Sequence, residues 1–205
     1  MDLLHTIFPG LENVKEEFIP GWPNKDAPWT IISDELSSIH NQIKVFTGSK
    51  GTYIDPTAVI GENVRIEGPS YIGPNVEIRH GAYLRKGSWI CEGALVGHCS
   101  EIKNSVLLPG AKAPHFNYVG DSIVGFGANL GSGAKLSNVR HDKREILVEL
   151  ENGSREETGL RKLGALIGDR SQLGCNVVTN PGSIIPPSSM VFPNYTVSGW
   201  FISKS

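Results

Sequence analysis

The chain has 205 residues, with 19 basic against 21 acidic side chains and a net charge of −2. Apolar residues make up 39% and charged residues 20%, which suits a packed core and excludes both a disordered chain and a basic nucleic-acid surface as the default. No apolar run approaches the ~20 residues of a membrane span, and Met1-Asp2-Leu3-Leu4-His5 lacks the basic start of a secretory signal, so a cytoplasmic protein with no membrane or nucleic-acid partner is expected.

Residues 1–50 carry no repeat. Pro20, Pro23 and Pro28 interrupt the stretch around Trp22 and Trp29, and Ser33-Asp34 then precedes Leu36, Ile39 and Ile43 at helical spacing. That pattern predicts a short amphipathic helix with a capped start. The segment is expected to form a partly helical cap over the first coil of the domain that follows, shielding its strand edges.

Residues 51–205 are organised differently. Stepping by six from Ile60 gives Ile66, Ile72, Ile78, Leu84, Ile90, Val96, Ile102 and Leu108, and two residues before each stands a small or β-branched side chain such as Ser70, Ala82 or Ser88. The phase returns at Ile167, Leu173, Ile185, Val191 and Val197, with Thr179 the one exception. A period of six is neither helical nor a simple alternation; it fits a short strand and a turn, three of which close one triangular coil. Coils stacked at the ~4.8 Å strand spacing make a parallel β-helix, with about six coils expected between residues 57 and 199. Glycine, 24 of 205 residues, supplies corner conformations.

Two interruptions are expected. The repeat slips between Pro109 and Asp121, and a longer insertion, about 138–164, holds an alternating run Glu145–Leu150, a turn at Glu151-Asn152-Gly153 and the charged Arg155-Glu156-Glu157, which predicts a β-hairpin. Polar residues collect near the slip: Lys103, Lys112, His115, Asn117, Tyr118, Asp121 and Asn129. Arg85 and Lys103 each follow an inward aliphatic and lie one coil apart, so they stack on one edge, where an anion between them relieves their repulsion. Taken singly, the pair reads equally as two solvated corners, His115 as a surface histidine, Tyr118 as packing and Asn129 as a backbone brace. Cys91, Cys99 and Cys175 are odd in number and widely spaced, giving no disulfide framework and no metal pattern.

Together these residues say more. The run Ala113-Pro114-His115-Phe116-Asn117-Tyr118-Val119-Gly120-Asp121, followed by Gly125 and Asn129-Leu130-Gly131-Ser132-Gly133, with Arg85 and Glu101-Ile102-Lys103 at matching spacings upstream, resembles the acetyltransferase half of the bifunctional N-acetylglucosamine-1-phosphate uridyltransferase family, archaeal sugar-phosphate nucleotidyltransferases included. The resemblance covers roughly residues 55–200 and implies a left-handed parallel β-helix that acetylates an amino-sugar 1-phosphate with acetyl-CoA. It implies His115 as general base, Asn129 as orienting residue and the Ser132 N–H facing the thioester oxygen. Arg85, Lys103, Tyr118 and Asn138 are then expected to hold the sugar phosphate, with Lys143 or Arg144 as a further basic contact. Cys175 and Pro193 fall at positions of the acyl-CoA groove, where Pro193 has no N–H to donate, and the family's basic C-terminal segment is reduced to a tail ending at Lys204-Ser205. A homotrimer is implied, without a metal. The family's nucleotide-transferring half has no counterpart in residues 1–50, so a separate nucleotidyltransferase is a possible partner. The alternative in another class is a non-catalytic β-helix module that binds sugar phosphates or sugar nucleotides.

Overall fold

A computed structural model describes residues 2–14, 19–33, 38–48 and 51–202. Three parallel sheets of seven strands each form the faces of a prism. The first face begins at Thr52–Ile54, the second at Val59–Ile60 and the third at Arg65–Ile66, and the chain visits the faces in that order, coil after coil. This is the left-handed parallel β-helix of the hexapeptide-repeat proteins, with seven strands per face where about six coils were expected. Inside it one continuous column of buried aliphatic side chains runs from Ile72 to Val197. Thr179 also points inward, fully buried. Among the described residues no helix is long and apolar enough to cross a membrane.

The repeat slips twice, first between Ile102 and Leu107, earlier than expected, and again between Val119 and Val124, at the end of the expected stretch. The inward residues there are Leu107, Ala113, Val119 and Val124, all in the central core, whereas Leu108 packs outside the prism. Ser70 pairs with Ser88, eighteen residues on, but Ser88 pairs with Ser105 and Val106 with Ile123, seventeen residues on. The missing residue is lost at corners where Asn104 (φ 46°) and Asp121 (φ 48°) adopt the left-handed conformation, one that Asn and Asp tolerate best among side-chain-bearing residues. A five-residue rung replaces a six-residue one, and the phase moves by one.

The first face is apolar on its outer side as well. Tyr53, Tyr71 and Trp89 stack along it at centroid distances of 5.2 and 4.6 Å, followed by Val106, Ile123, Leu166 and Ile184. The N-terminal segment lies against this wall. Its helices, Leu3–Ile7 (α1) and Ile39–Thr47 (α2), bury Leu3, Leu4, Ile7, Ile39 and Ile43 there together with Trp29. Asp34 and Leu36, expected in the second helix, lie outside the described residues, as does the Lys204-Ser205 tail. The segment runs along the side of the prism and reaches the sixth coil, where the Gly10 N–H donates to Asp169 at 2.7 Å. It does not close the first coil as expected: Ile54 and Ile60, the inward side chains there, are 42% and 37% exposed. The physical reason is the aromatic and aliphatic outer wall, which offers far more apolar area than a single coil end.

The insertion leaves the prism after Asn138 and returns at Leu163, whose N–H donates to the Asn138 carbonyl at 3.1 Å and closes the neck. Within it Leu147–Glu149 and Arg155–Glu157 pair as an antiparallel hairpin. Ile146, Val148 and Leu163 are buried against the first face beside the N-terminal segment.

Candidate functional site

Most of the candidate residues lie on the third face and its two long edges; Asn129 is on the second face and Lys143 and Arg144 are on the insertion. At the edge between the second and third faces, His115 ends the strand Lys112–His115 with its side chain exposed. Its N–H donates to Asn117 Oδ1 at 3.0 Å and its carbonyl accepts from the Gly133 N–H at 2.9 Å. Asn117, 2% exposed, also donates through Nδ2 to the Gly131 carbonyl at 2.7 Å. One buried amide therefore clamps the His115 corner to the Gly131-Ser132-Gly133 turn of the next coil. The Ser132 carbonyl accepts from Asn176, beside Cys175, and the Cys175 carbonyl accepts from Asn194, beside Pro193. His115, Ser132, Cys175 and Pro193 thus occupy one edge over four successive coils. Cys175 is exposed and free. His98, paired in register with His115, and His80, stacked on His98 at 5.5 Å, continue the edge in the other direction. Close backbone approach is a condition of this edge: a Cβ on Gly97 would stand 1.6 Å from the Pro114 carbonyl oxygen.

Across the third face the opposite edge is charged. Arg85 and Lys103 stand in adjacent strands, Leu84 being in register with Ile102, as their spacing implied. The anions beside them are carboxylates of the chain itself. Arg85 donates to Glu101 at 2.9 Å, which raises the guanidinium pKa further, and Lys103 donates to both oxygens of Asp121, at 2.7 and 2.9 Å. Asp121 is 2% exposed and also accepts from Asn104 at 2.8 Å and from Asn138. Serines set this edge: Ser88 Oγ donates to the Arg85 carbonyl at 2.6 Å and Ser105 Oγ to the Lys103 carbonyl at 2.7 Å, fixing the backbone from which both cations project.

Tyr118 lies between the edges, half-buried, and hydrogen-bonds Asn138. Burial, reinforced by the Asp121 and Glu101 carboxylates, pushes its phenol pKa up, so the hydroxyl stays protonated at neutral pH. Its ring crosses Gly120, where a Cβ would stand 2.6 Å from the Tyr118 hydroxyl and 2.8 Å from Asn138 Nδ2. Asn129 sits on the second face, in register with Lys112, around the edge from Tyr118.

A cavity of about 690 Å³ opens at the charged edge, lined by Arg85, Lys103 and Asp121 from the prism, Ile32 and His40 from the N-terminal segment, and Gly159–Lys162 of the insertion. His115 and Tyr118 are not among its lining residues. Neither are Lys143 and Arg144, the expected basic contacts. Both are exposed, and the Lys143 carbonyl instead accepts from the Arg161 guanidinium at 3.2 and 3.4 Å. Arg161 and Lys162 line the cavity instead, because the hairpin folds back to the neck from its far end. The carboxylates were legible only in part: Asp121 and Glu101 lay in the quoted motifs without a role, and a buried Asp one coil from a Lys is their signal. Among the described residues no cluster of three or more His, Cys, Asp or Glu side chains has metal-binding geometry.

The profile of the family described as the GMPPB C-terminal domain matches residues 66–199. The chain belongs to this family. It is 39% identical over 217 aligned residues to the putative uncharacterized acetyltransferase YaiX of Escherichia coli K12, covering 96% of this chain and 91% of that one. It is 35% identical over 195 residues to the bifunctional sugar-1-phosphate nucleotidylyltransferase/acetyltransferase of Sulfurisphaera tokodaii, covering 86% of this chain and 46% of that protein. The chain therefore spans about half the length of that bifunctional relative. Among solved structures, the acetyltransferase domain of PglB from Neisseria gonorrhoeae is similar over 73% of this chain and 55% of that one, at 17% identity and a TM-score of 0.38. By its likeness to YaiX along nearly the whole of both chains, the chain groups with the hexapeptide-repeat acetyltransferases, as the motif resemblance implied.

Proposed function

We propose that the chain is an acetyl-CoA-dependent N-acetyltransferase whose acceptor is glucosamine 1-phosphate or a close hexosamine 1-phosphate. The observation that carries this reading is the single edge on which His115, Ser132, Cys175 and Pro193 follow one another, a track for an extended thioester ending at an imidazole. The acceptor lies over the third face, with its phosphate toward Arg85 and Lys103 and its ring against Tyr118 and Asn138; Asn129 orients the acetyl group from the second face.

The neutral 2-amino nitrogen attacks the thioester carbonyl, forming the C–N bond. His115 takes the proton released by nitrogen, and collapse of the tetrahedral intermediate breaks the C–S bond; the proton then passes from His115 to the departing thiolate. The Ser132 N–H, beside two glycines, stabilises the oxyanion. The Arg85–Glu101 and Lys103–Asp121 pairs hold both cations in place before the phosphate arrives, so less side-chain entropy is lost on binding. A homotrimer, in which a neighbouring prism walls the third face, completes the proposal, as does a cytoplasmic setting, where three free cysteines remain reduced.

The competing reading, a non-catalytic module that binds sugar phosphates or sugar nucleotides and partners a separate nucleotidyltransferase, is favoured by one observation: His115 does not line the charged cavity. Purified protein mixed with acetyl-CoA and a panel of hexosamine 1-phosphates separates the two. Acceptor-dependent thiol release supports the transferase, and its absence across the panel supports the module. Light scattering that finds an active monomer would remove the trimer.

A further inference from the structure

The charged cavity has features that a sugar monophosphate does not use. Five cationic side chains face it against two carboxylates, in a chain whose net charge is −2. Arg85 and Lys103 are already matched by Glu101 and Asp121. Lys86, Arg161 and Lys162 have no ion pair among the described residues, and they come from two separate elements, a prism corner and the returning arm of the insertion. The Arg161 guanidinium is held from behind by the Lys143 carbonyl, which occupies two of its five N–H groups and leaves the rest for a ligand. Ile32 and Leu160 supply an apolar wall. The volume, about 690 Å³, falls within the roughly 300–1,000 Å³ of small-molecule and cofactor sites.

We propose that this cavity binds a nucleoside diphosphate group, with the diphosphate on Lys86, Arg161 and Lys162 and the base against Ile32 and Leu160. Cations from two elements suit two linked phosphoryl groups, and an apolar wall beside them suits a flat base. The group has two possible sources. It is either the nucleotide end of a nucleotide-linked sugar lying across the third face, or a free-standing nucleotide sugar that acts as an effector. The site stands independently of the transferase reading. It is distinct from the edge of His115, Ser132 and Cys175, so the nucleotide of coenzyme A is not its ligand.

Isothermal titration of the full chain with UDP, GDP and dTDP, with pyrophosphate and inorganic phosphate as references, tests it. At least one nucleoside diphosphate is expected to bind more tightly than pyrophosphate. The double variant Arg161→Ser/Lys162→Ser is expected to weaken that binding tenfold or more, whereas Arg140→Ala, on an exposed pair of the same insertion, leaves it unchanged. Circular dichroism of the double variant guards against misfolding. Failure of all three diphosphates to bind, equal binding by the double variant, or displacement of the diphosphate by coenzyme A would overturn the proposal. If UDP is the one that binds, acetylation of UDP-glucosamine identifies the acceptor as the source. A change in glucosamine 1-phosphate turnover on adding UDP-N-acetylglucosamine identifies an effector, and either result supports the site. Binding needs no acetyl transfer, so a protein that binds diphosphate but releases no thiol counts against the transferase reading alone.

Discussion

The two long edges of the third face are built by opposite means. The His115 edge is regular: glycines allow backbones to approach, each coil repeats the last, and its side chains face solvent. The Arg85–Lys103 edge is irregular, with rungs one residue short around Asn104 and Asp121, a buried carboxylate that binds three side chains, and a 24-residue excursion between Asn138 and Leu163. The first suits an extended ligand laid along the helix axis. The second suits a compact anion held by preformed charges. The strands of the third face run between the two edges, so the edges present separate surfaces to a ligand.

The largest expected effect breaks the irregular edge. Asp121→Ala leaves Lys103, Asn104 and Asn138 without their shared acceptor, and the uncompensated, mostly buried ammonium is expected to cost about 3 kcal/mol in denaturant unfolding. No comparable loss is expected from His115→Ala, whose exposed ring holds nothing together. That variant should instead lower acceptor-dependent thiol release by about 10² or more with unfolding unchanged, the scale of a lost general base. Wild-type turnover in it would remove His115 from the chemistry. Arg85→Ala is expected to raise the KM for the hexosamine 1-phosphate roughly tenfold, the scale of one charge-assisted hydrogen bond, with the KM for acetyl-CoA unmoved. The reverse pattern would dissolve the distinction between the edges. The smallest change comes from Gly120→Ala, which pushes Tyr118 and Asn138 aside and should raise the acceptor KM a few-fold without altering the turnover limit.

The same contrast explains what could be read from the chain alone. Residues that repeat every coil are found by counting, which is why Arg85 and Lys103 stand on one edge as expected, whereas His115, Ser132, Cys175 and Pro193 were named from the family resemblance and share an edge that counting did not single out. Counting by six went astray at Leu108, because the rung from Ile102 to Leu107 is one residue short without any break in composition. Lys143 and Arg144 were expected as a further basic contact to the phosphate, but a hairpin brings its far end back to its root, and it is Arg161 and Lys162 that line the charged cavity. The N-terminal segment was assigned to the end of the prism because a solenoid's exposed coil is the usual liability. Its place along the side is set by Tyr71, Trp89 and their neighbours, whose outward, apolar positions the six-residue pattern leaves free to vary.

Thiol labelling of Cys175 tests the division between the edges most directly, in a Cys99→Ser background where Cys91 is buried and its pKa is raised by desolvation. Acetyl-CoA is expected to slow the labelling tenfold or more, and glucosamine 1-phosphate to leave it unchanged. Labelling that acetyl-CoA fails to slow, or that the sugar phosphate slows equally, would contradict the assignment of the thioester to this edge.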